Sequence, residues 1–336
     1  MNKKRIVVIC PGRGSYTRET NKYLKQHDGL AKKQIKWMDE QRESKRQISL
    51  TKLDSQNFRA KTHMIGENAS TLIYACSFSD FLSLDKTKYE IVSILGNSMG
   101  WYTALALSGA ISFESGYHLI DTMGSMMKDE LVGSQMIYPI MKDNWQRDKA
   151  IHELVLSEIR QAGVHVSIEL GGYLVIGGKS SALKRLSKKL PVKDKYPLII
   201  PYHAAFHTPL LESISKSAFK MIDSSIFKKP SIPLIDGRGK VWSPYSSDPA
   251  DIMHYTLNHQ VQKTFDFTSS VTVALKEYSP DNLLLLGPGN SLGGPVGQII
   301  IENKWLDIRS KLDFSSYQKA NPFILSMGRI DQRKKL

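Results

Sequence analysis

Residues 89–108 read YEIVSILGNSMGWYTALALS, and three kinds of local structure follow one another along them. The run from Tyr89 to Leu95 is apolar and has the length of one buried strand. Gly96-Asn-Ser-Met-Gly100 comes directly after it, and the residues beyond Gly100 have the composition of a buried helix. A strand, a tight turn and a helix in this order are typical of α/β proteins.

Two other apolar runs, Ile6 to Cys10 and Leu283 to Leu286, have the composition of further buried strands. Segments with helical spacing of apolar residues alternate with the strands, which predicts an α/β fold with a mostly parallel sheet. The polar segment from Asp28 to Asn68 is rich in Lys and Arg and is expected to form surface helix and loop. The helices are predicted over Ala69–Leu84, Met99–Ser108 and Ser112–Leu131.

Residues 134–202 follow another pattern, in which strands and helices have the order βαββαβ. This is the order of the split-βαβ or ferredoxin-like unit. We therefore predict a small inserted ferredoxin-like subdomain at residues 134–202, within a large domain formed by residues 1–133 and 203–336. The predicted strands are Met136–Ile140, Val164–Leu170, Tyr173–Ile176 and Leu198–Ile200, and the predicted helices are Ala150–Ala162 and Ala182–Leu190.

Composition limits the kinds of protein that this chain can be. Of its 336 residues, 41% are hydrophobic and 23% are charged, which suits a globular protein rather than a disordered one. The 46 Lys and Arg residues outnumber the 32 Asp and Glu residues, and the net charge of +14 favours acidic partners. The sequence has no zinc-finger spacing, aromatic RNA-binding signature or basic zipper, so no nucleic-acid partner is predicted.

The cysteine content and the apolar runs bear on where the protein works. Cys10 and Cys76 are too few for a disulfide framework and suit a reducing compartment, so we expect a cytoplasmic protein. No run approaches the roughly 18 apolar residues of a membrane span, and none is predicted. No cluster of side chains has the spacing of metal ligands, so no metal site is predicted.

The G-x-S-x-G pattern around Ser98 is the strongest local indication of chemistry. A serine on a sharp turn between a strand and a helix projects from the sheet, and flanking glycines remove the Cβ atoms that would obstruct the bend. Unpaired N–H groups at the start of the helix can then stabilise an oxyanion. The alternative is a turn of small residues that only packs a strand against a helix.

A serine nucleophile needs a base. Most of the nine histidines, His27 among them, are expected on the surface. His203 and His207 lie in Tyr202-His-Ala-Ala-Phe-His-Thr-Pro-Leu210, where an apolar strand ends, and strand ends often carry catalytic groups. Spacing alone does not choose between these two histidines, and each is also compatible with a purely structural role.

Several short motifs together resemble the malonyl-CoA:acyl carrier protein transacylase family, which includes polyketide acyltransferase domains. They occur in the order and approximate spacing of that family, from about Ile6 to Ile300. The resemblance implies an α/β-hydrolase-like core with an inserted ferredoxin-like subdomain. The motifs are Cys10-Pro-Gly-Arg-Gly-Ser15, Gly96-Asn-Ser-Met-Gly100, Leu107-Ser-Gly-Ala-Ile-Ser-Phe113, Phe206-His-Thr-Pro-Leu210, Gln260 and Gly287-Pro-Gly289.

The resemblance also implies an activity, namely serine-dependent transfer of an acyl group from acyl-CoA to the thiol of an acidic acyl carrier protein. Ser98 is then the nucleophile and His207 the base, with the imidazole oriented by a backbone carbonyl at Gln260. The backbone N–H groups of Arg13 and Met99 are expected to form the oxyanion hole. The family implies no metal and no bound cofactor, since the coenzyme A thioester is a substrate.

Three residues of the implied substrate pocket bear on the choice of acyl group. Met123 aligns where members that accept malonyl usually have an arginine, whose guanidinium pairs with the free carboxylate. We therefore expect an acyl group without a second carboxylate, or another cation in place of the missing one. Asn97 aligns with a histidine of the family, and Phe206 is a feature of acyltransferases with small acyl pockets.

Two other functions remain open at this level. In an acyl-thioester hydrolase, water rather than a carrier thiol would displace the acyl group. In a non-catalytic carrier-binding subunit, the chain would bind the carrier without transferring anything. The retention of both Ser98 and His207 argues against a non-catalytic subunit, while Met123 mildly favours it.

Overall fold

The computed structural model describes residues 3–126, 131–334 and 336. Its strands form one sheet of six strands and one of five. In chain order the strands are β1 Lys4–Cys10, β2 Tyr89–Gly96, β3 Ser134–Pro139, β4 His165–Leu170, β5 Tyr173–Gly178, β6 Leu198–Ile200, β7 Leu234–Ile235, β8 Val241–Trp242, β9 Phe265–Asp266, β10 Asn282–Leu285 and β11 Ile324–Ser326.

Helices connect most of the strands, and several of them are single turns. A π-helical turn at Tyr255–His259 joins two of the α-helices. The α-helices are α1 Gly29–Ser44, α2 Leu50–Ser55, α3 Ala60–His63, α4 Gly66–Leu82, α5 Gly100–Leu107, α6 Phe113–Ser125, α7 Lys149–Ala162, α8 Ser180–Leu186, α9 Glu212–Met221, α10 Pro249–His254, α11 Gln260–Gln262, α12 Phe267–Tyr278, α13 Gly293–Glu302, α14 Lys311–Ala320 and α15 Ile330–Arg333.

The six-stranded sheet has the order β11-β10-β1-β2-β7-β8, and every neighbouring pair is parallel except β7 and β8. Residues Ile6 to Cys10 of β1 lie near its middle and are fully buried. Strands that are buried on both faces are continuous apolar runs without alternation. The sequence therefore revealed them, and the predicted α/β fold with a mostly parallel sheet is confirmed.

The five-stranded sheet has the order β6-β3-β5-β4-β9. Its first four strands are antiparallel neighbours, come from residues 134–200 in the order βαββαβ, and enclose a separate apolar cluster that includes Met136 and Leu183. The fifth strand, β9, pairs in parallel with β4 and comes from beyond residue 202. Two residues are too few for a periodic signal, so the sequence did not predict β9. The domain boundaries at 134 and 202 stay a prediction.

The register of β1 and β2 determines where the loops of interest meet. The two strands are parallel, with Cys10 opposite Gly96. The turns that follow them therefore lie side by side at the carboxyl edge of the sheet, and the N–H of Asn97 donates to the carbonyl of Cys10 at 3.0 Å. Open α/β sheets bind ligands at this edge.

The segment from Asp28 to Asn68, expected on the surface, is partly buried. Met38 of α1 and Leu53 of α2 are almost completely inaccessible. Arg42 is fully buried as well, and its guanidinium donates to Asn68 Oδ1 at 2.5 Å and to Thr71 Oγ1 at 2.8 Å. The surface prediction is wrong for these residues. The many charged residues between them obscure, in the sequence, the apolar residues that form a buried helix face.

Two smaller predictions are also wrong. His27, expected on the surface, is buried, and its Nε2 lies 3.3 Å from Asp80 Oδ1. The helix predicted to reach Leu131 ends at Ser125, and residues 127–130 of that prediction lie outside the described residues. Within the described ranges, no helix combines the length and the apolar character that crossing a membrane requires.

Candidate active site

Ser98 lies at the bend between β2 and α5. Its φ is +55°, an uncommon conformation for a residue with a side chain, and such strain is concentrated at functional sites. The bend needs glycine on both sides. A Cβ atom on Gly96 would lie 2.1 Å from the carbonyl carbon of Gly100, and one on Gly100 would lie 2.3 Å from the carbonyl oxygen of Cys10. These contacts explain the G-x-S-x-G spacing.

The structure brings His207 to Ser98, although 109 residues separate them in the chain. The Oγ atom of Ser98 lies 2.7 Å from Nε2 of His207. The other histidine left open by the sequence, His203, instead places its Nδ1 2.9 Å from Gln135 Oε1. His207 also has a positive φ, +58°, and only 2% of its surface is exposed.

The protonation of His207 suits a base. Its Nδ1 is hydrogen-bonded to the main-chain oxygen of Gln260, which can only accept, so Nδ1 carries the proton and Nε2 is free to accept one. Burial lowers the pKa of His207 to about 4, against the opposite effect of the bond to Gln260. The imidazole is therefore neutral at physiological pH and can take the proton of the Ser98 hydroxyl.

The side chain of Gln260 links this pair to the helix behind Ser98. Its Nε2 donates to the main-chain oxygen of Ser98 at 3.1 Å, and its Oε1 accepts from the hydroxyl of Tyr102 at 2.9 Å. Gln260 follows the π-helical turn at residues 255–259, and such turns are frequent at functional sites. The sequence had indicated only a main-chain role at this position.

The two predicted oxyanion donors flank Ser98. Met99 follows it at the start of α5, and Arg13 lies in the turn after β1, which the hydrogen bond from Asn97 to Cys10 holds beside the Ser98 bend. Within the described part of the chain, neither main-chain N–H forms a hydrogen bond. Two unpaired donors beside a serine hydroxyl have the arrangement that an oxyanion hole needs.

A small pocket of about 40 Å³ opens on one side of Ser98 and His207. Its walls are mostly apolar, and both Met123 and Phe206 contribute to them. The pocket is thus suited to a short acyl chain. The remaining lining residues are Arg13, Ser70, Met99, Tyr102, Ile120, Gly124, Gln260 and Val261.

A larger cleft of about 490 Å³ lies on the other side of Ser98, between the two sheets. Asn97, predicted for the substrate pocket, lines this cleft and not the small pocket. Sequence reasoning assigned no role in the cleft to any of residues 134–202, yet Tyr173 of β5 and Lys195 and Tyr196 before β6 line it. The sequence does indicate one of these residues, because Tyr173 is an aromatic residue directly after the Gly171-Gly172 turn.

The described residues contain no group of three or more His, Cys, Asp or Glu side chains placed to hold a metal ion. The site combines the serine, the imidazole, the main-chain donors and the two cavities. A hydroxyl in hydrogen-bond contact with a neutral imidazole, beside a small apolar pocket and a larger cleft, can act as a nucleophile toward an acyl group.

Comparison with known proteins agrees with this arrangement. No family model matches the chain. The polyketide biosynthesis malonyl CoA-acyl carrier protein transacylase PksC of Bacillus subtilis is 25% identical over 232 residues, which cover 68% of this chain and 75% of that protein. The malonyl CoA-acyl carrier protein transacylase of the same organism is 23% identical over 301 residues, covering 88% of this chain and 90% of that protein.

A solved structure extends the likeness to the whole fold. The malonyl-CoA:acyl carrier protein transacylase of Helicobacter pylori superimposes with a TM-score of 0.76 at 19% identity, covering 99% of this chain and 97% of that one. The order of the motifs, the sequence relatives and the fold all indicate a likeness to the same group of enzymes. The chain is thus similar, in sequence over most of its length and in fold over nearly all of it, to malonyl-CoA:acyl carrier protein transacylases.

Proposed function

We propose that this protein moves an acyl group from an acyl-CoA thioester to the phosphopantetheine thiol of an acyl carrier protein, through an acyl-Ser98 intermediate. The observation that carries the proposal is the 2.7 Å contact between Ser98 Oγ and His207 Nε2, with His207 Nδ1 held by the main-chain oxygen of Gln260. The relatives, named as transacylases between malonyl-CoA and acyl carrier protein, support it.

In the first half-reaction, Ser98 Oγ attacks the thioester carbonyl while His207 Nε2 accepts the hydroxyl proton. The carbonyl oxygen becomes an oxyanion and accepts hydrogen bonds from the N–H groups of Arg13 and Met99. By comparison with hydrolases, each donor is worth roughly 3 kcal/mol of transition-state stabilisation. The intermediate collapses, the carbon–sulfur bond breaks, and the coenzyme A thiolate leaves with the proton from His207.

The second half-reaction runs the same steps with the carrier thiol. Neutral His207 takes the thiol proton, the sulfur attacks the acyl carbon, and the oxygen of Ser98 leaves and recovers the proton. The roughly 490 Å³ cleft, which is lined by Ser98, Tyr173 and Tyr196, supports two half-reactions that use one binding site in turn. A single cleft of this kind admits the arm of coenzyme A and that of the carrier in turn.

The proposed chemistry requires only the side chains and main-chain groups named above, and coenzyme A takes part as substrate. The net charge of +14 supports an acidic carrier as the second partner, because opposite charges raise the rate of encounter. An exposed lysine at the cleft, Lys195, provides a local positive charge where the carrier arm would enter.

The test is the mass of the intact protein after incubation with acyl-CoA, followed by addition of a phosphopantetheinylated acyl carrier protein. We expect one acyl adduct on the wild type, none on Ser98→Ala, and loss of the adduct to the carrier. Ser44→Ala, an exposed serine at the end of α1, is the matched control and should load like the wild type.

The same experiment separates the two alternatives. An adduct that disappears equally fast with and without carrier, with release of free acid, would indicate a thioester hydrolase. A protein that binds the carrier but never gains an adduct from any short acyl-CoA would be a non-catalytic carrier-binding subunit. Either outcome would contradict the proposed transferase.

A further inference from the structure

The small pocket beside Ser98 contains a cation, although the expected arginine is absent. Met123, which the family resemblance aligns with that arginine, lines the pocket with its uncharged side chain. Among the described residues that line it, Arg13 is the only one that carries a formal charge at neutral pH. Arg13 also lines the larger cleft, so it lies where the two cavities meet.

The guanidinium of Arg13 is held in place by neutral groups. Its Nη2 donates to the main-chain oxygen of Met64 at 2.9 Å and to that of Tyr202 at 2.8 Å. Its central carbon lies 5.5 Å from the centroid of the Phe206 ring, a cation–π contact. These contacts position the charge without neutralising it.

The contact with Met64 joins the guanidinium to a chain segment that packs beside Met123 and Gly124. Two residues after Met64, Gly66 packs on the main chain of Gly124, so closely that a Cβ on Gly66 would lie 2.3 Å from the oxygen of Gly124. Gly124 follows Met123 directly, and both line the pocket together with Arg13.

The charge of Arg13 has no counter-ion in the described part of the chain. Its two hydrogen-bond acceptors are carbonyl oxygens, and its Nε is buried without any hydrogen-bond partner. Burial lowers the pKa of Arg13 to about 10, so the guanidinium is still charged at neutral pH. A cation that is partly buried and has no counter-ion is costly, and a bound anion would remove that cost.

We propose that Arg13 is the specificity-determining residue of the acyl pocket, and that its guanidinium binds the terminal carboxylate of a short dicarboxylic acyl group such as malonyl. Of the two expectations raised by Met123, the structure thus favours a substitute cation. A malonyl carboxylate is one methylene away from the thioester carbon, so the N–H of Arg13 and its guanidinium would contact opposite ends of the same acyl group. The inference rests on the proposed acyl-Ser98 chemistry.

The experiment compares loading of Ser98 from malonyl-CoA and from acetyl-CoA, which differ in the carboxylate. We expect the wild type to prefer malonyl-CoA. In Arg13→Gln, the ratio of kcat/KM for malonyl-CoA to kcat/KM for acetyl-CoA should fall roughly 10- to 100-fold, as for loss of a hydrogen bond to a charged group. Arg18→Gln, an exposed arginine in the same loop region, is the matched control and should leave both values unchanged.

Arg13→Lys provides the second variant, because it keeps the charge but loses the planar fork. We expect it to lower the ratio of kcat/KM for malonyl-CoA to kcat/KM for acetyl-CoA by an intermediate amount. If either variant lowers kcat/KM equally for both acyl-CoA substrates, the proposal is overturned. Arg13 would then have only a structural role, connecting the loops at Met64 and Tyr202. A wild type that prefers acetyl-CoA would overturn it without any variant. If acetyl loads and malonyl does not, only this inference fails, whereas loading of neither contradicts the proposed function itself.

Discussion

Gln260 contacts both members of the Ser98–His207 pair. Its main-chain oxygen accepts from His207 Nδ1, and its side-chain Nε2 donates to the main-chain oxygen of Ser98 at 3.1 Å. One residue therefore fixes the orientation of the imidazole and the position of the bend on which the hydroxyl lies. Ser98 and His207 come from distant segments of the chain, so this link determines how well their relative geometry is maintained.

Gln260→Ala should impair acylation without abolishing it. The main-chain acceptor for His207 remains, but the bond to Ser98 is lost and the hydroxyl of Tyr102 loses its partner. We expect kcat/KM for acylation to fall about tenfold, since a hydrogen bond of this kind is worth about 1 kcal/mol and an unpaired buried group adds to the loss. Rapid-quench measurement of the acyl-enzyme gives the rate.

Gln262→Ala is the matched control for Gln260→Ala. In the wild type, the Gln262 side chain donates to Asn258 Oδ1 at 3.1 Å and does not line the small pocket. We expect its acylation rate to equal that of the wild type. A Gln260→Ala variant that acylates as fast as Gln262→Ala would show that the main-chain contact alone positions His207.

The low pKa of His207 predicts a flat pH dependence at mildly acidic pH. Burial lowers this pKa from 6.5 to about 4, so the ring stays neutral, and able to accept a proton, down to that value. The kcat/KM for acylation should therefore change little between pH 8 and pH 5, apart from any titration of the substrate. An acid limb with an apparent pKa near 6.5 in free-enzyme kinetics would contradict the assignment.

The same shift has a consequence for stability. Between pH 6.5 and about 4 the unfolded chain binds a proton at His207 that the folded protein does not, so folding stability falls as the pH is lowered through this range. The contribution is fully present above pH 6.5. Urea unfolding of His207→Gln across this range should show a weaker dependence on pH than the wild type.

The sequence revealed the parts of the fold and site that depend on neighbours along the chain. The bend at Ser98 needs glycine at positions 96 and 100 for steric reasons that involve adjacent turns, and the pattern is therefore visible in five consecutive residues. The strands of the main sheet were visible because burial on both faces demands continuous apolar runs.

Features that depend on distant contacts could not be derived in this way. The choice between His203 and His207 requires knowing which of them the fold carries to Ser98. The burial of Arg42 depends on acceptors contributed by α4, and a charged residue gives no hint of it in the sequence. The cation at Arg13 was hidden for a related reason, since that position had drawn attention only for its main-chain N–H.

Gly100→Ala should destabilise the protein, because the new methyl group would lie 2.3 Å from the main-chain oxygen of Cys10 in the neighbouring strand. Overpacking of this kind costs about 1–3 kcal/mol in the free energy of unfolding. Gly294→Ala is the matched control, since no atom lies within 4 Å of its added Cβ. Equal midpoints of urea unfolding for the two variants would show that the main chain near Cys10 and Gly100 can shift to accommodate the added methyl group.

Carrier docking should depend on ionic strength. Screening of the attraction between a protein of net charge +14 and an acidic carrier should raise the KM for the carrier as salt is added, while kcat changes little. Lys195→Gln, at the cleft, should raise this KM at low salt, whereas Lys36→Gln, on the exposed face of α1, should not. A KM that is independent of salt would exclude long-range attraction as a contributor.

The volume of the small pocket, about 40 Å³, should limit the length of the acyl chain. Loading of Ser98 in the wild type is expected to fall steeply from butyryl-CoA to octanoyl-CoA, because the longer chain would overlap the buried side chain of Met123. Met123→Ala removes that side chain and should raise octanoyl loading at least about tenfold, since each buried methylene contributes about 0.8 kcal/mol. Met221→Ala, an exposed methionine at the end of α9, should load like the wild type.

The Met123→Ala variant also tests the role of Arg13, because enlarging the pocket at Met123 leaves the guanidinium in place. Met123→Ala should therefore keep the preference for malonyl-CoA over acetyl-CoA, and a loss of that preference would place the selective contact at Met123 rather than at Arg13.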